Sequence, residues 1–109
     1  MYNNLEPRLL ESVYEAALLH ELRKSNLKAQ SQVALPMIYD EVKVDVGYRL
    51  DILVENKVII EIKSVETILV VHHKQLITYL KLSGLKLGLL VNFNSSDSSK
   101  SIFRKVNGL

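Results

Sequence analysis

The apolar positions of the chain change their spacing along its length, and each change marks an element. From Pro7 to Ser25 they follow the three-and-four-residue spacing of an amphipathic helix. Leu10, Val13, Ala17 and Glu21 lie on one line along it, and Tyr14, Leu18 and Leu22 on the line beside it. Pro7 suits the first turn, where its missing N–H costs nothing, and Asn26 suits a left-handed stop. The spacing then falls to two. Gln32–Tyr39 reads as a strand, and its Pro36 puts it at a sheet edge or a bulge, since proline cannot donate to a ladder. Asp40-Glu41 forms a turn, and Val42–Val54 returns as a longer strand bent at Gly47. Val58–Lys63 is a third strand. Glu66–Ser83 is a second helix capped by Gly84. Leu85–Val91 is nearly all apolar, as in a strand covered on both faces. After the polar loop Asn94–Ser99 comes a short last strand, Ile102–Val106.

This order, helix, three strands, helix and two further strands, predicts an α/β fold with a mixed sheet flanked by helices. The first three strands form an antiparallel meander, and the third and fourth, joined through a helix, run parallel. A chain of 109 residues is expected to form one domain over residues 1–109. Its core is small, and pairing as a homodimer is one way to enlarge it. The hydrophobic fraction of 48%, charged fraction of 24% and formal net charge of +2 do not by themselves announce a nucleic-acid partner. No cysteine is present, which excludes disulfides, thiolate catalysis and Cys-based zinc sites. Charges interrupt every apolar stretch before it reaches the length of a membrane span, and the first residues lack the pattern of a secretory signal. The expectation is a cytoplasmic protein with no membrane partner.

The chemistry depends on register. If Glu55-Asn56-Lys57 is a three-residue hairpin loop, Val54 pairs with Val58, Leu53 with Ile59, Asp51 with Glu61 and Arg49 with Lys63. Alternation then places Leu50, Ile52 and Val54 with Val58, Ile60 and Ile62 on an apolar face, and Asp51, Glu61, Arg49 and Lys63 on the other with Leu53 and Ile59. Opposed residues have Cβ atoms roughly 5 Å apart, where like charges destabilise the pair. A shared divalent cation lets two carboxylates coexist there, since Mg²⁺ takes oxygen ligands. Diagonal salt bridges, Asp51 to Lys63 or Glu61 to Arg49, account for the same pattern on a solvated face. A two-residue loop would separate the carboxylates altogether.

Glu11 lies in line with Tyr14, Leu18 and Leu22, so it either looks toward the sheet or serves as a helix-start carboxylate favoured by the dipole. On the second helix His72, Gln75 and Tyr79 share a face. Gln75 and Tyr79 have the reach to contact a phosphate or order a water, while a tyrosine so placed is also a common packing residue. His72 and His73, being adjacent, point apart and make a poor two-histidine metal site. The lysines and arginines are scattered rather than clustered.

With these residues located, the chain resembles the GxxExxY family, a branch of the PD-(D/E)XK nuclease superfamily, from about Leu5 to Leu109. The likeness runs through Leu9–Glu15, Arg49–Val54, Val58–Lys63, His72 with Gln75-Leu76 and Thr78–Leu80, Gly88–Phe93 and Asn107–Leu109. The resemblance implies a restriction-endonuclease-like core and a nuclease that hydrolyses phosphodiester bonds in DNA or RNA. It implies that Asp51, Glu61 and the Ile62 carbonyl hold Mg²⁺, with Mn²⁺ as a substitute. Lys63 would orient or deprotonate the attacking water and stabilise charge on the phosphate, and Glu11 and Gln75 would assist it. The sequence departs from the family name at its first position, where Arg8 stands in place of glycine and either closes that space or contacts a phosphate. The proline of the superfamily's name is replaced by Leu50 before Asp51. A second function class stays open: a nuclease-fold module that binds nucleic acid or regulates without turnover, as a subunit of a larger assembly.

Overall fold

In a computed structural model the structure describes residues 7–39, 42–94 and 99–108, with side chains over 10–35, 47–94 and 99–108. The Asp40-Glu41 turn, most of the serine-rich loop and the Arg8 side chain lie outside them. The elements are α1 (Pro7–Lys24), β1 (Ala29–Tyr39), β2 (Val42–Val54), β3 (Val58–Lys63), α2 (Val70–Ser83), β4 (Leu87–Phe93) and β5 (Lys100–Val106). They build one sheet of order β1-β2-β3-β4-β5. The strands pair antiparallel except β3 with β4, which are parallel across the α2 connection. This is the expected mixed α/β sheet flanked by helices.

Local chemistry sets the ends of the helices. α1 stops where Asn26 turns left-handed at φ 65°. The Leu27 amide then donates to the Leu22 carbonyl and the Asn26 amide to the Arg23 carbonyl, a Schellman closure. α2 begins at Val70, four residues later than the sequence pattern suggests, because the His72 Nδ1 accepts the Leu69 N–H at 2.9 Å and starts the helix there. Gly84 ends it at φ 76°.

The sheet buries both faces. Ile52, Val54, Ile60, Ile62 and Val91 pack under Tyr14, Leu18, Leu19 and Leu22 of α1. On the other face Leu35, Leu50, Ile59 and Leu90 pack under Leu76, Tyr79 and Leu80 of α2. Two expectations are corrected here. Leu50 does not join Ile52. Gln32, between the pairs Ser31–Ile52 and Val33–Leu50, has φ 51°, and the alternation of both strands turns over at that point. On α1, Val13, Ala17 and Glu21 face solvent, so only the Tyr14–Leu18–Leu22 line is a packing stripe. Pro36 sits on the edge strand and at a bulge, where the register slips opposite Gly47.

Gly88 lets α2 approach β4 closely. A Cβ built there would lie 2.8 Å from Leu76 Cδ1, and Leu76 is wholly buried, so its side chain would have to shift within the core. Gly88→Ala is therefore expected to destabilise the protein by about 1–3 kcal/mol, as overpacking does, read as a lowered urea midpoint with unchanged slope.

Candidate functional site

The three-residue loop forms as expected, with Glu55 and Asn56 both left-handed at φ 54°. It sets the pairs Val54–Val58, Leu53–Ile59 and Ile52–Ile60, and there the β2–β3 ladder ends. One step further the strands are joined through side chains. The Asp51 amide donates to Glu61 Oε2 at 2.9 Å, and the Ile62 amide donates to Asp51 Oδ2 at 2.8 Å. Each carboxylate thus binds the backbone of the opposite strand where a ladder bond would otherwise run. Glu61 is 3% exposed and Asp51 half-buried.

Lys63, at the end of β3, turns toward α2. Its Nζ donates to Gln75 Oε1 at 2.9 Å, and Gln75 Nε2 donates to the Tyr79 hydroxyl at 3.2 Å. The Lys63 charge favours the ionised forms of Asp51 and Glu61, and Arg49 Nη1 donates to the Tyr48 carbonyl. Glu11 reaches the strand end from α1, where its Oε2 accepts the Ser64 N–H at 3.2 Å. The chain beyond is pinned by buried Asn92, whose amide bonds both the N–H and the carbonyl of Val65 at 3.0 Å. Ser64 Oγ is buried there without a hydrogen-bond partner.

The structure therefore gathers Asp51, Glu61, Lys63, Glu11, Gln75 and Tyr79 at one end of β3. His72 is bound to the start of its own helix and feels the charge of Lys63. Two residues join the group that the sequence did not single out, Glu15 and Gln32. Gln32 Nε2 donates to both Glu15 oxygens, at 3.0 and 3.2 Å, and the Gln32 side chain also favours the charged form of Asp51. Glu15 carried a signal, since it follows Glu11 by one helical turn. Gln32 carried one only through the β1–β2 register, which places it opposite Asp51.

Four carboxylates so close together hold their protons more tightly than usual. Burial raises Glu61 to about 8, with the Asp51 charge adding to it. Burial likewise raises Asp51, Glu15 and Glu11, against the Ile62, Gln32 and Ser64 hydrogen bonds that favour their charged forms. Burial and the charge of Glu61 also raise Tyr79, whose phenol stays protonated. The oxygen donors fit a hard divalent cation. Among the described residues no three acidic, histidine or cysteine side chains form a metal cluster by themselves, so backbone oxygen or water would complete the shell.

A family model matches residues 1–106. The chain belongs to the PD-(D/E)XK nuclease superfamily. This superfamily generally uses divalent metals and acts on nucleic acid. The crystal structure of SSO0001 superposes with a TM-score of 0.63 at 23% identity, over 92% of this chain and 52% of that one. That likeness is one of fold, and this superfamily chain spans about half of that protein's length. Among curated proteins none matches. No helix among the described residues is long and apolar enough to cross a membrane.

The raised Glu61 sets a sign for stability. Between pH 4.5 and about 8 the folded metal-free protein holds a proton that the unfolded chain has lost, so stability falls as pH rises through that window. Thermal melts in EDTA should show Glu61→Gln gaining on the wild type across that range and holding its lead above it. Equal melting points at both ends would show Glu61 to be an ordinary carboxylate.

Proposed function

We propose that the chain is a divalent-metal-dependent nuclease that hydrolyses phosphodiester bonds in DNA or RNA. The reading rests on one observation above the others: two opposed carboxylates, buried Glu61 and half-buried Asp51, each bound to the other's strand, with the Lys63 charge acting on both. Superfamily membership supports it. Asp51, Glu61 and the Ile62 carbonyl would hold the cation, Mg²⁺ with Mn²⁺ as substitute, and the N–H of Ile62 is already bound to Asp51. Such a cation, when bound, lowers the pKa of water and stabilises charge on a phosphate.

The remaining work falls to the chain. Lys63, held by Gln75, orients the attacking water and faces the phosphate charge. Glu11, a carboxylate with raised proton affinity, accepts or returns a proton beside it. Gln75 keeps the Lys63 ammonium in place, and Tyr79 and His72 line the approach, with Arg8 at the start of α1. Within the superfamily we assign the chain to the GxxExxY branch. Glu11 and Tyr14 stand at that motif's named positions, and Tyr14 stacks on Phe93 at 4.1 Å. We place the protein in the cytoplasm and read residues 1–109 as one domain. The exposed Ile102, Phe103 and Val106 on edge strand β5 are the surface for a homodimer, which a solution mass would show.

One observation favours a second reading, a binding or regulatory module without turnover. Arg8 stands at the start of α1, where the branch's motif has glycine. Calorimetric titration with Mg²⁺ and Mn²⁺ separates the two, and nucleic-acid binding without metal binding would favour the module.

Purified protein with Mg²⁺ or Mn²⁺ is expected to cut nucleic acid. Asp51→Ala and Lys63→Ala should each lower the rate by about two orders of magnitude or more. Cutting that survives both substitutions would belong to a contaminant and end the assignment.

A further inference from the structure

We infer that the pocket lined by Tyr48, Gln75, Thr78 and Tyr79 takes one unpaired nucleobase of the substrate strand, stacked on Tyr48. The inference rests on the nuclease reading and adds a substrate class to it, single-stranded rather than fully paired nucleic acid.

The pocket is lined by Tyr48, Gln75, Thr78 and Tyr79 and has a volume of about 240 Å³. That is below the range of roughly 300–1,000 Å³ that holds drug-sized ligands, and it suits one planar ring system. The two tyrosine rings lie 5.7 Å apart, tilted by 46°. They differ in freedom: Tyr79 is 7% exposed and packed in the core, whereas Tyr48 is 43% exposed. Core packing explains Tyr79. Tyr48, on β2, leans against Tyr79 yet leaves enough of its ring exposed for a planar ligand to stack on.

The rim is polar on one side. Gln75 bonds both Lys63 and the Tyr79 hydroxyl, and Thr78 brings a further hydroxyl. The pocket is therefore continuous with the candidate catalytic group through Gln75. Tyr48 stands three residues before Asp51 on β2, about 10 Å along an extended strand. A base held there lies within a few nucleotides of a phosphate at the carboxylates.

These features match how proteins hold single strands. Aromatic rings stack on bases without regard to sequence, since every base has a π-face. A base inside a duplex has both faces and its pairing edge already engaged, and it enters such a pocket only after leaving the stack. The scattered surface charge of this chain offers little to grip a duplex by its backbone alone.

The test measures binding, so it does not depend on turnover. Ten-nucleotide single strands carrying one 2-aminopurine, as DNA and as RNA, are titrated with the full chain in Ca²⁺-containing buffer, alongside duplexes of the same sequence. Single strands should bind more tightly than duplexes, and 2-aminopurine fluorescence should be quenched on stacking. Tyr48→Ala should weaken single-strand binding about 5- to 150-fold, the change that ~1–3 kcal/mol of base stacking represents. Tyr48→Phe should restore binding, and an abasic nucleotide in the stacked position should abolish the difference between wild type and Tyr48→Ala. The tighter of the DNA and RNA strands names the preferred sugar. No binding, a loss equal for single strands and duplexes, or absence of quenching would overturn the inference. Nuclease activity that persists in Tyr48→Ala on both substrate forms would overturn it while leaving the nuclease reading intact. Stacking without any cutting in Mg²⁺ or Mn²⁺ would do the reverse.

Discussion

The site depends on how the β2–β3 ladder ends. After Ile52–Ile60 the two strands stop exchanging backbone bonds and are joined instead by Glu61 on the Asp51 amide and Asp51 on the Ile62 amide. A backbone N–H is an obligatory donor, and leaving it unpaired in the interior is costly. Satisfying two of them with carboxylates brings two like-charged groups out of water, where burial raises the proton affinity of both. The strand junction and the electrostatic tension of the site are thus the same structural fact. Removing either carboxylate frees a backbone donor as well as a charge.

The sheet divides the group between two layers. From the α1 side come Glu11 and Glu15, and from the α2 side Gln75 and Tyr79, with Asp51, Glu61 and Lys63 between them. This requires both helices to lie close over the same strands. On one face Tyr14, Leu18 and Leu22 achieve it. On the other Gly88 does, by removing the side chain that would hold Leu76 away. The polar group is consequently flanked by apolar packing on both faces, which holds its members in place while it desolvates them.

Much of this arrangement was legible in the sequence, for identifiable reasons. The element order follows from periodicity, and the opposition of Asp51 and Glu61 follows from the odd length of Glu55-Asn56-Lys57, since side-chain direction along a strand has a period of two. The same rule failed for Leu50. A left-handed residue resets the alternation, and a glutamine such as Gln32 gives no sign that it will adopt that conformation. The start of α2 was missed because a histidine, rather than Glu or Gln, reaches back to its first amide. Glu15 was overlooked although its spacing from Glu11 announces it. Gln32 belongs to the group only through pairing between distant segments, which no local pattern encodes.

The division between the layers also bears on what the group can recognise. The strand and α1 side presents carboxylates, which attract a cation and repel a bare phosphate. The α2 side presents an ammonium, an amide, a phenol and two aromatic rings, which attract a phosphate and the flat face of a base. Lys63 stands at the boundary, emerging from the acidic strand but bound to the helix. A ligand carrying anionic and aromatic parts in sequence would engage both sides, whereas a simple anion would meet the Lys63 ammonium and the carboxylates and leave the aromatic rings unused. Gln75 is what keeps the two halves in register. It fixes the Lys63 ammonium through one end of its amide and Tyr79 through the other, so a shift of α2 would move the ammonium and the Tyr79 wall of the pocket together.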